Sequence, residues 1–220
     1  MKFLKPKFWD DNNNIFSILL KPISILFYFL INLRKFFIRS KKFKIPVICI
    51  GNIYVGGTGK TPVSLIVTNE LKIKKRNPVI IKKYYKDHND EHQMIRKRVG
   101  SLILNKNRTQ AIEEAERKNF DVAILDDGFQ DYAIQKDLNI VCFNSKQLIG
   151  NGSIFPAGPL RESLISLKRA QIIIINGERN KIFEKKILEI SKKVKIYYSE
   201  YIPTNIEQFK NKKLYAFAGI

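Results

Sequence analysis

The residues in this 220-residue chain best suited to chemistry lie between Gly51 and Thr61, in GNIYVGGTGKT. An apolar run, Ile45 to Ile50, precedes the segment and a helical pattern follows from Pro62, the setting in which glycine-rich turns bind phosphate. Backbone N–H groups can turn inward there, the helix N-terminus favours negative charge, and a lysine can reach a nucleotide's outer phosphates. Gly56, Gly57, Thr58, Gly59, Lys60 and Thr61 are therefore candidate nucleotide contacts. Lys60 is placed to act on the transferring phosphoryl group and Thr61 to ligate a metal, so the expected cofactors are ATP and Mg²⁺. The strict pattern GxxxxGK[ST] is not met, because Tyr54 stands where its first glycine belongs.

A phosphate loop of this kind works with a carboxylate at the end of a neighbouring strand. The run FDVAILDDGFQ supplies Asp126 and Asp127, adjacent charges that are costly after a buried strand unless a cation is near. Lys82 to His92, KKYYKDHNDEH, reads as a loop at the carboxyl end of the sheet, where the pair Asp90 and Glu91 can receive a substrate hydroxyl. His88 and His92 stand four apart, but neither their surroundings nor a third ligand matches a zinc site. The Gly- and Pro-rich GNGSIFPAGPLRE delivers Arg161, a cation that can offset phosphoryl charge.

The elements that must hold these residues alternate in type. Strands are expected at 45–50, 78–81, 122–125, 139–143 and 171–175, with helices over 62–74 and over 109–118, the latter capped by Thr109. Alternation of that kind predicts an α/β fold, a mainly parallel sheet flanked by helices in the manner of phosphate-loop NTPases. Residues 1–180 are expected to form this domain and 181–220 to begin a second, smaller α/β domain.

Before the first strand, residues 15–38 are apolar and aromatic but interrupted by Lys21 and Pro22, so the longest uncharged run is twelve residues, Pro22 to Leu33. That is short of the roughly 20 needed to span a bilayer. Residues 1–45 carry ten basic and two acidic side chains, a balance of +8. An apolar stretch between cationic flanks suits a helix lying on an anionic membrane surface, so residues 1–40 are read as an interfacial segment. The whole-chain charge of +20 points to an acidic partner, although lysine is abundant throughout. Cys49 and Cys142, each inside an aliphatic run, read as core thiols.

Taken in order, GNIYVGGTGKTP, DDGFQ and GNGSIFPAGPLRE, with FW and KPIS near the start and FAGI at the end, resemble the tetraacyldisaccharide 4′-kinase family of lipid A synthesis. The resemblance covers almost the whole chain. It implies transfer of phosphate from ATP to the 4′-hydroxyl of a tetraacylated glucosamine disaccharide 1-phosphate, giving lipid IVA. It further implies a monomer bound peripherally at the cytoplasmic face of the inner membrane, with the lipid A disaccharide precursor and the anionic surface as partners and no nucleic acid. By position, Lys60 and Thr61 are the phosphate-loop pair, Asp126, Asp127, Glu91 and Gln130 stand on the metal side, Asp90 is the catalytic base, and Arg161 lies in the PLRE segment with Glu162. The family's RGYG is replaced by Lys83, Tyr84, Tyr85 and Lys86, its GDEP by Asn89, Asp90, Glu91 and His92, and the His of DDGFQH by Asp131. Family members run about a hundred residues further, and this sequence stops inside what resembles their FAGIGNP motif, as a fragment would. A membrane-associated ATPase switch of the cell-division type shares GGTGKT, but its signature lysine is replaced by Val55. A basic nucleic-acid module would leave the phosphate loop unexplained.

Overall fold

Alternate residues of an extended run face opposite ways, and the computed structural model of this chain, which describes residues 5–11, 13–85, 89–202 and 207, covers both faces of its aliphatic runs. Seven strands form one parallel sheet: β1 (Val47–Gly51), β2 (Pro78–Lys83), β3 (Leu102–Asn105), β4 (Val122–Asp126), β5 (Leu138–Asn144), β6 (Ile172–Asn176) and β7 (Lys195–Ser199). Their spatial order is β3-β2-β4-β1-β5-β6-β7. Four helices cover the sheet: α2 (Lys60–Ile73), α3 (Asn89–Val99), α4 (Arg108–Arg117) and α5 (Lys181–Ile190), all preceded by α1 (Ile15–Phe37).

The core divides by residue parity. Val47, Cys49, Val79, Ile81, Ala123 and Leu125 pack with Ala111, Ile112 and Ala115 of α4 and with Phe183 and Ile187 of α5. Their neighbours Ile50, Ile80 and Ile124 pack with Val63 and Leu65 of α2 and Ile95 and Val99 of α3. Each such side chain contributes about 1.5–3 kcal/mol when fully buried, so the helix layers on both faces hold the strands in register. Cys49 and Cys142 lie one in each layer. Burial pushes both thiols up to about 12, which keeps them protonated.

Several sequence-based expectations shift. The stretch 82–92 is not one loop: β2 extends through Lys83, and Asp90 and Glu91 occupy the first turn of α3. That helix was hidden because only His92, Ile95 and Val99 are buried in an otherwise polar sequence. Helix α4 begins one residue early, capped by the Asn107 side chain, which accepts from the Thr109 N–H at 2.9 Å, so Thr109 is not the cap. Of residues 181–220, read as the start of a second domain, α5 and β7 are described, and β7 pairs in parallel with β6 and so covers that strand's edge. The FAGI segment, Lys86 and His88 lie outside the described residues.

The expected N-terminal helix is present as α1, which runs unbroken through Lys21 and Pro22 for 23 residues; although its uncharged run is only twelve residues, the whole helix is long and apolar enough to cross a membrane by length and composition. Contacts with the loop before β6 hold the turns on either side of the proline. Ser17 Oγ donates to the Ala157 carbonyl and Ser24 Oγ to that of Ile154, both at 2.8 Å, and the Ala157 N–H donates back to Ser24 at 2.9 Å. These bonds offset the local cost of a helix-interior proline. Most of the apolar side chains of α1 are exposed, with Phe36 84% and Leu19 66% accessible.

Candidate active site

Strand β1 lies at the centre of the sheet, and the register sets Ile50 beside Asp126 of β4, so the glycine-rich loop and the paired aspartates leave neighbouring strands at the same carboxyl end. Gly59 ends the loop in the left-handed region (φ 82) as the N-cap of α2. That backbone conformation is strained for any other residue, and a Cβ there would lie 2.4 Å from Asn176 Nδ2 and 2.8 Å from the Tyr201 hydroxyl, so both side chains would have to shift. Gly59→Ala is expected to lose about 1–2 kcal/mol of stability and to abolish nucleotide binding; denaturant melts and a fluorescent-nucleotide titration read the two effects.

Three side chains brace the loop from below and behind. Asn52 Nδ2 donates to Thr58 Oγ1 at 3.0 Å and to the Gly56 carbonyl at 3.2 Å. Asn176, at the end of β6, donates to the Thr58 carbonyl at 2.5 Å, and Ser199 of β7 donates to Asn176 in turn. Tyr54, where the strict motif has glycine, is buried and bridges to Leu160, while the Val55 N–H donates to Pro159 at 2.8 Å. Backbone contacts at positions 54 and 55 therefore tie the loop to the Pro-rich segment that carries Arg161.

A cleft of about 350 Å³ opens above the loop, lined by residues 56–62 together with Lys82, Lys83, Tyr85, Glu91, Arg108, Asp126, Asp127 and Arg161. Lys60 Nζ stands 3.6 Å from Asp127 Oδ1, and Arg161 Nη1 donates to both oxygens of the same carboxylate at 2.9 and 3.0 Å. Burial acts to raise the pKa of Asp127, but the Lys60 and Arg161 charges outweigh it and hold the carboxyl below its usual range. Thr61 Oγ1 lies 2.7 Å from Glu91 Oε1 and 3.1 Å from Asp126 Oδ2, where its single proton serves one of the two. Asp126 Oδ1 is buried with no hydrogen-bond partner among the described residues. One hydroxyl and two carboxylates, one of them carrying the orphaned buried oxygen, form a donor set that fits a hard cation such as Mg²⁺.

Two positions named from sequence stand elsewhere. Asp90 is exposed and faces a separate surface hollow with Gln93, Met94, Lys97 and Arg98, because it and Glu91 are adjacent on a helix and cannot share a face. Gln130, expected on the metal side, does not line the cleft; its amide donates to the Asn52 carbonyl at 2.8 Å, bracing the loop's base. Glu162 lies beneath the site, 2% exposed, accepting from Arg169 at 2.6 Å, from Lys35 of α1 at 3.3 Å and from Tyr132.

Sequence reading missed three contributors. Lys82 is buried between Asp126 and Glu91; burial would lower its pKa, but the Asp126 charge and both hydrogen bonds raise it overall. Arg108 reaches the Asp127 carbonyl at 2.8 Å and pairs with Asp131 at 3.6 Å, so Asp131, which stands where the family has His, holds a cleft arginine. Asn176 is the third. A basic residue closing an aliphatic strand was the available signal for Lys82, whereas Arg108 and Asn176 carried none.

Compared with known proteins, residues 16–220 match the family described as LpxK, tetraacyldisaccharide-1-P 4′-kinase. The chain is 40% identical to the tetraacyldisaccharide 4′-kinase of Pelagibacter ubique, in an alignment covering all of this chain and 71% of that protein. It is 36% identical to that of Actinobacillus succinogenes, covering 79% of this chain and 60% of the relative. Among solved structures, LpxK from Aquifex aeolicus, determined in complex with ATP, superposes with a TM-score of 0.63 at 21% identity, over 91% of this chain and 86% of that one. At that identity the likeness establishes the fold.

Proposed function

Since the chain belongs to the tetraacyldisaccharide-1-P 4′-kinase family, we propose that it transfers the γ-phosphoryl group of ATP to the 4′-hydroxyl of a tetraacylated glucosamine disaccharide 1-phosphate, in lipid A synthesis at the cytoplasmic face of the inner membrane. The observation that carries this reading is the convergence of Lys60, Thr61, Asp126, Asp127 and Arg161 on one cleft at a glycine-capped helix start.

In this proposal the amides of residues 56–61 and the positive end of α2 hold the outer phosphates. Thr61, Asp126 and Glu91 would hold Mg²⁺, which would supply positive charge to offset that of the outer phosphates. Lys60 and Arg161, now sharing Asp127, turn to the γ-phosphoryl as its charge develops. The acceptor oxygen forms a bond to phosphorus as the bond to the bridging oxygen of ADP breaks, and the acceptor's proton passes to Asp90. Asp90 serves from the exposed side of the first turn of α3, which must move toward the cleft to do so. Asp90→Ala is therefore expected to leave nucleotide affinity unchanged and to lower transfer about 10²–10⁴-fold; equal losses in binding and turnover would remove Asp90 from the acceptor side.

The exposed face of α1 supports the membrane assignment, because its apolar side chains and cationic flanks suit the boundary between headgroups and acyl chains. An acylated substrate could then be phosphorylated without leaving the bilayer. Replacing Phe29, Leu30 and Leu33 with serine, at sites 60%, 51% and 44% exposed, leaves the bonds of Ser17 and Ser24 intact. The triple variant is expected to remain in the supernatant when anionic vesicles are sedimented; a variant that still pellets contradicts the interfacial role.

The kinase reading itself is tested with γ-labelled ATP and two disaccharide acceptors, one with a free and one with a blocked 4′-hydroxyl. Label is expected on the first alone. Equal labelling of both, or of neither while nucleotide binds, contradicts it.

A further inference from the structure

The carboxylate oxygens that Thr61 touches are already occupied by a cation of the chain's own. Lys82 Nζ lies 2.9 Å from Asp126 Oδ2 and 2.5 Å from Glu91 Oε1, and Thr61 Oγ1 contacts the same two atoms. The placement follows from the sheet: Ile81 pairs with Leu125, so Lys82 and Asp126 are the next residues on adjacent parallel strands. From this geometry, and resting on the reading that Mg²⁺ and ATP use this cleft, we propose that the Lys82 ammonium occupies the metal position of the nucleotide-free protein. It keeps divalent cations out until they arrive with nucleotide phosphates.

Two physical arguments support the assignment. Mg²⁺ requires oxygens at about 2.0–2.1 Å, so it cannot share Asp126 Oδ2 and Glu91 Oε1 with an ammonium already in hydrogen-bond contact with both. The cleft as a whole also repels a bare dication. Its lining carries five cationic side chains (Lys60, Lys82, Lys83, Arg108, Arg161) against three carboxylates (Glu91, Asp126, Asp127), an excess of two positive charges. A bound triphosphate reverses that sign. It also offers the displaced ammonium new oxygen partners, which a flexible four-carbon stem can reach, as a rigid guanidinium fork could less readily. Lys82 is thus a specificity-determining residue for the order of binding: nucleotide with its metal, never metal first.

The test measures Mn²⁺ binding to the full chain by electron paramagnetic resonance, with and without a non-hydrolysable ATP analogue. Without nucleotide, Lys82→Met is expected to bind Mn²⁺ about tenfold or more tightly than the unmodified chain, the scale of removing one adjacent like charge. Lys82→Arg, which keeps the charge, is expected to bind as weakly as the unmodified chain. The analogue is expected to tighten Mn²⁺ binding strongly in the unmodified chain and much less in Lys82→Met. Equal nucleotide-free affinities for Lys82→Met and the unmodified chain would overturn the proposal. Should Lys82→Met fail to fold, the unmodified chain decides alone: tight Mn²⁺ binding without nucleotide overturns the proposal, and binding that needs the analogue supports it. A separate titration with a fluorescent nucleotide distinguishes failure of the kinase reading, since loss of nucleotide binding would refute that reading while the nucleotide-free Mn²⁺ comparison still judges Lys82.

Discussion

Lys60→Ala is expected to lower phosphoryl transfer by about 10³-fold or more while leaving the thermal transition nearly unmoved. Lys60 stands at the first position of α2, with its ammonium in the cleft beside Asp127. Removing a donor aimed at developing charge costs about 10²–10³ in rate, and here the lost group also holds the nucleotide's outer phosphates. The fold should tolerate the change because Asp127 keeps both of its hydrogen bonds to Arg161. The contact given up, 3.6 Å between partly exposed groups, is of the kind worth about 0–1 kcal/mol. Parallel kinetics and calorimetry separate the two effects. A large drop in melting temperature would show that Lys60 is structural.

Asp126→Asn should be comparably severe and distinguishable in kind. Asp126 is fully buried at the end of β4, and its carboxylate is both a candidate metal ligand and the partner of Lys82. An amide keeps the shape and loses the charge, so transfer is expected to fall about 10²–10³-fold, with a marked rise in the Mg²⁺ concentration needed for half-maximal rate. Lys82 retains Glu91 at 2.5 Å, which limits the stability loss. If the Mg²⁺ requirement is unchanged while turnover falls, Asp126 positions Lys82 and does not ligate the metal.

How much of this was legible in the sequence depends on how local the signal is. The strand–loop–helix at 47–73 and the carboxylates closing β4 could be read directly, since a run of aliphatics, a glycine turn and a helix start are adjacent along the chain. The family motifs that looked scattered prove to be neighbours in space: Trp9 donates to the Pro156 carbonyl, and Asn151 donates to Phe8, Ser17 and Ala157. What escaped notice depends on pairing across long separations. Lys82 meets Asp126 only because β2 lies beside β4. Asn176 braces Thr58 from 118 residues away, and α1 survives Pro22 through bonds to a loop 130 to 140 residues distant. Propensity and periodicity carry no information about such partners. The pairing of β7 with β6 is of the same kind, because an edge partner cannot be read from a short strand alone.

The central claim is that the loop at 56–61 and the carboxylate of Asp126 share one nucleotide and one metal ion. The most direct measurement is a crystal structure of the chain with Mg²⁺ and a non-hydrolysable ATP analogue. The expected result is outer phosphates over the amides of residues 56–61, Lys60 Nζ on the γ-phosphate, and the cation bound by Thr61 and Asp126. A nucleotide seated elsewhere, or a metal that touches neither Thr61 nor Asp126, would contradict it.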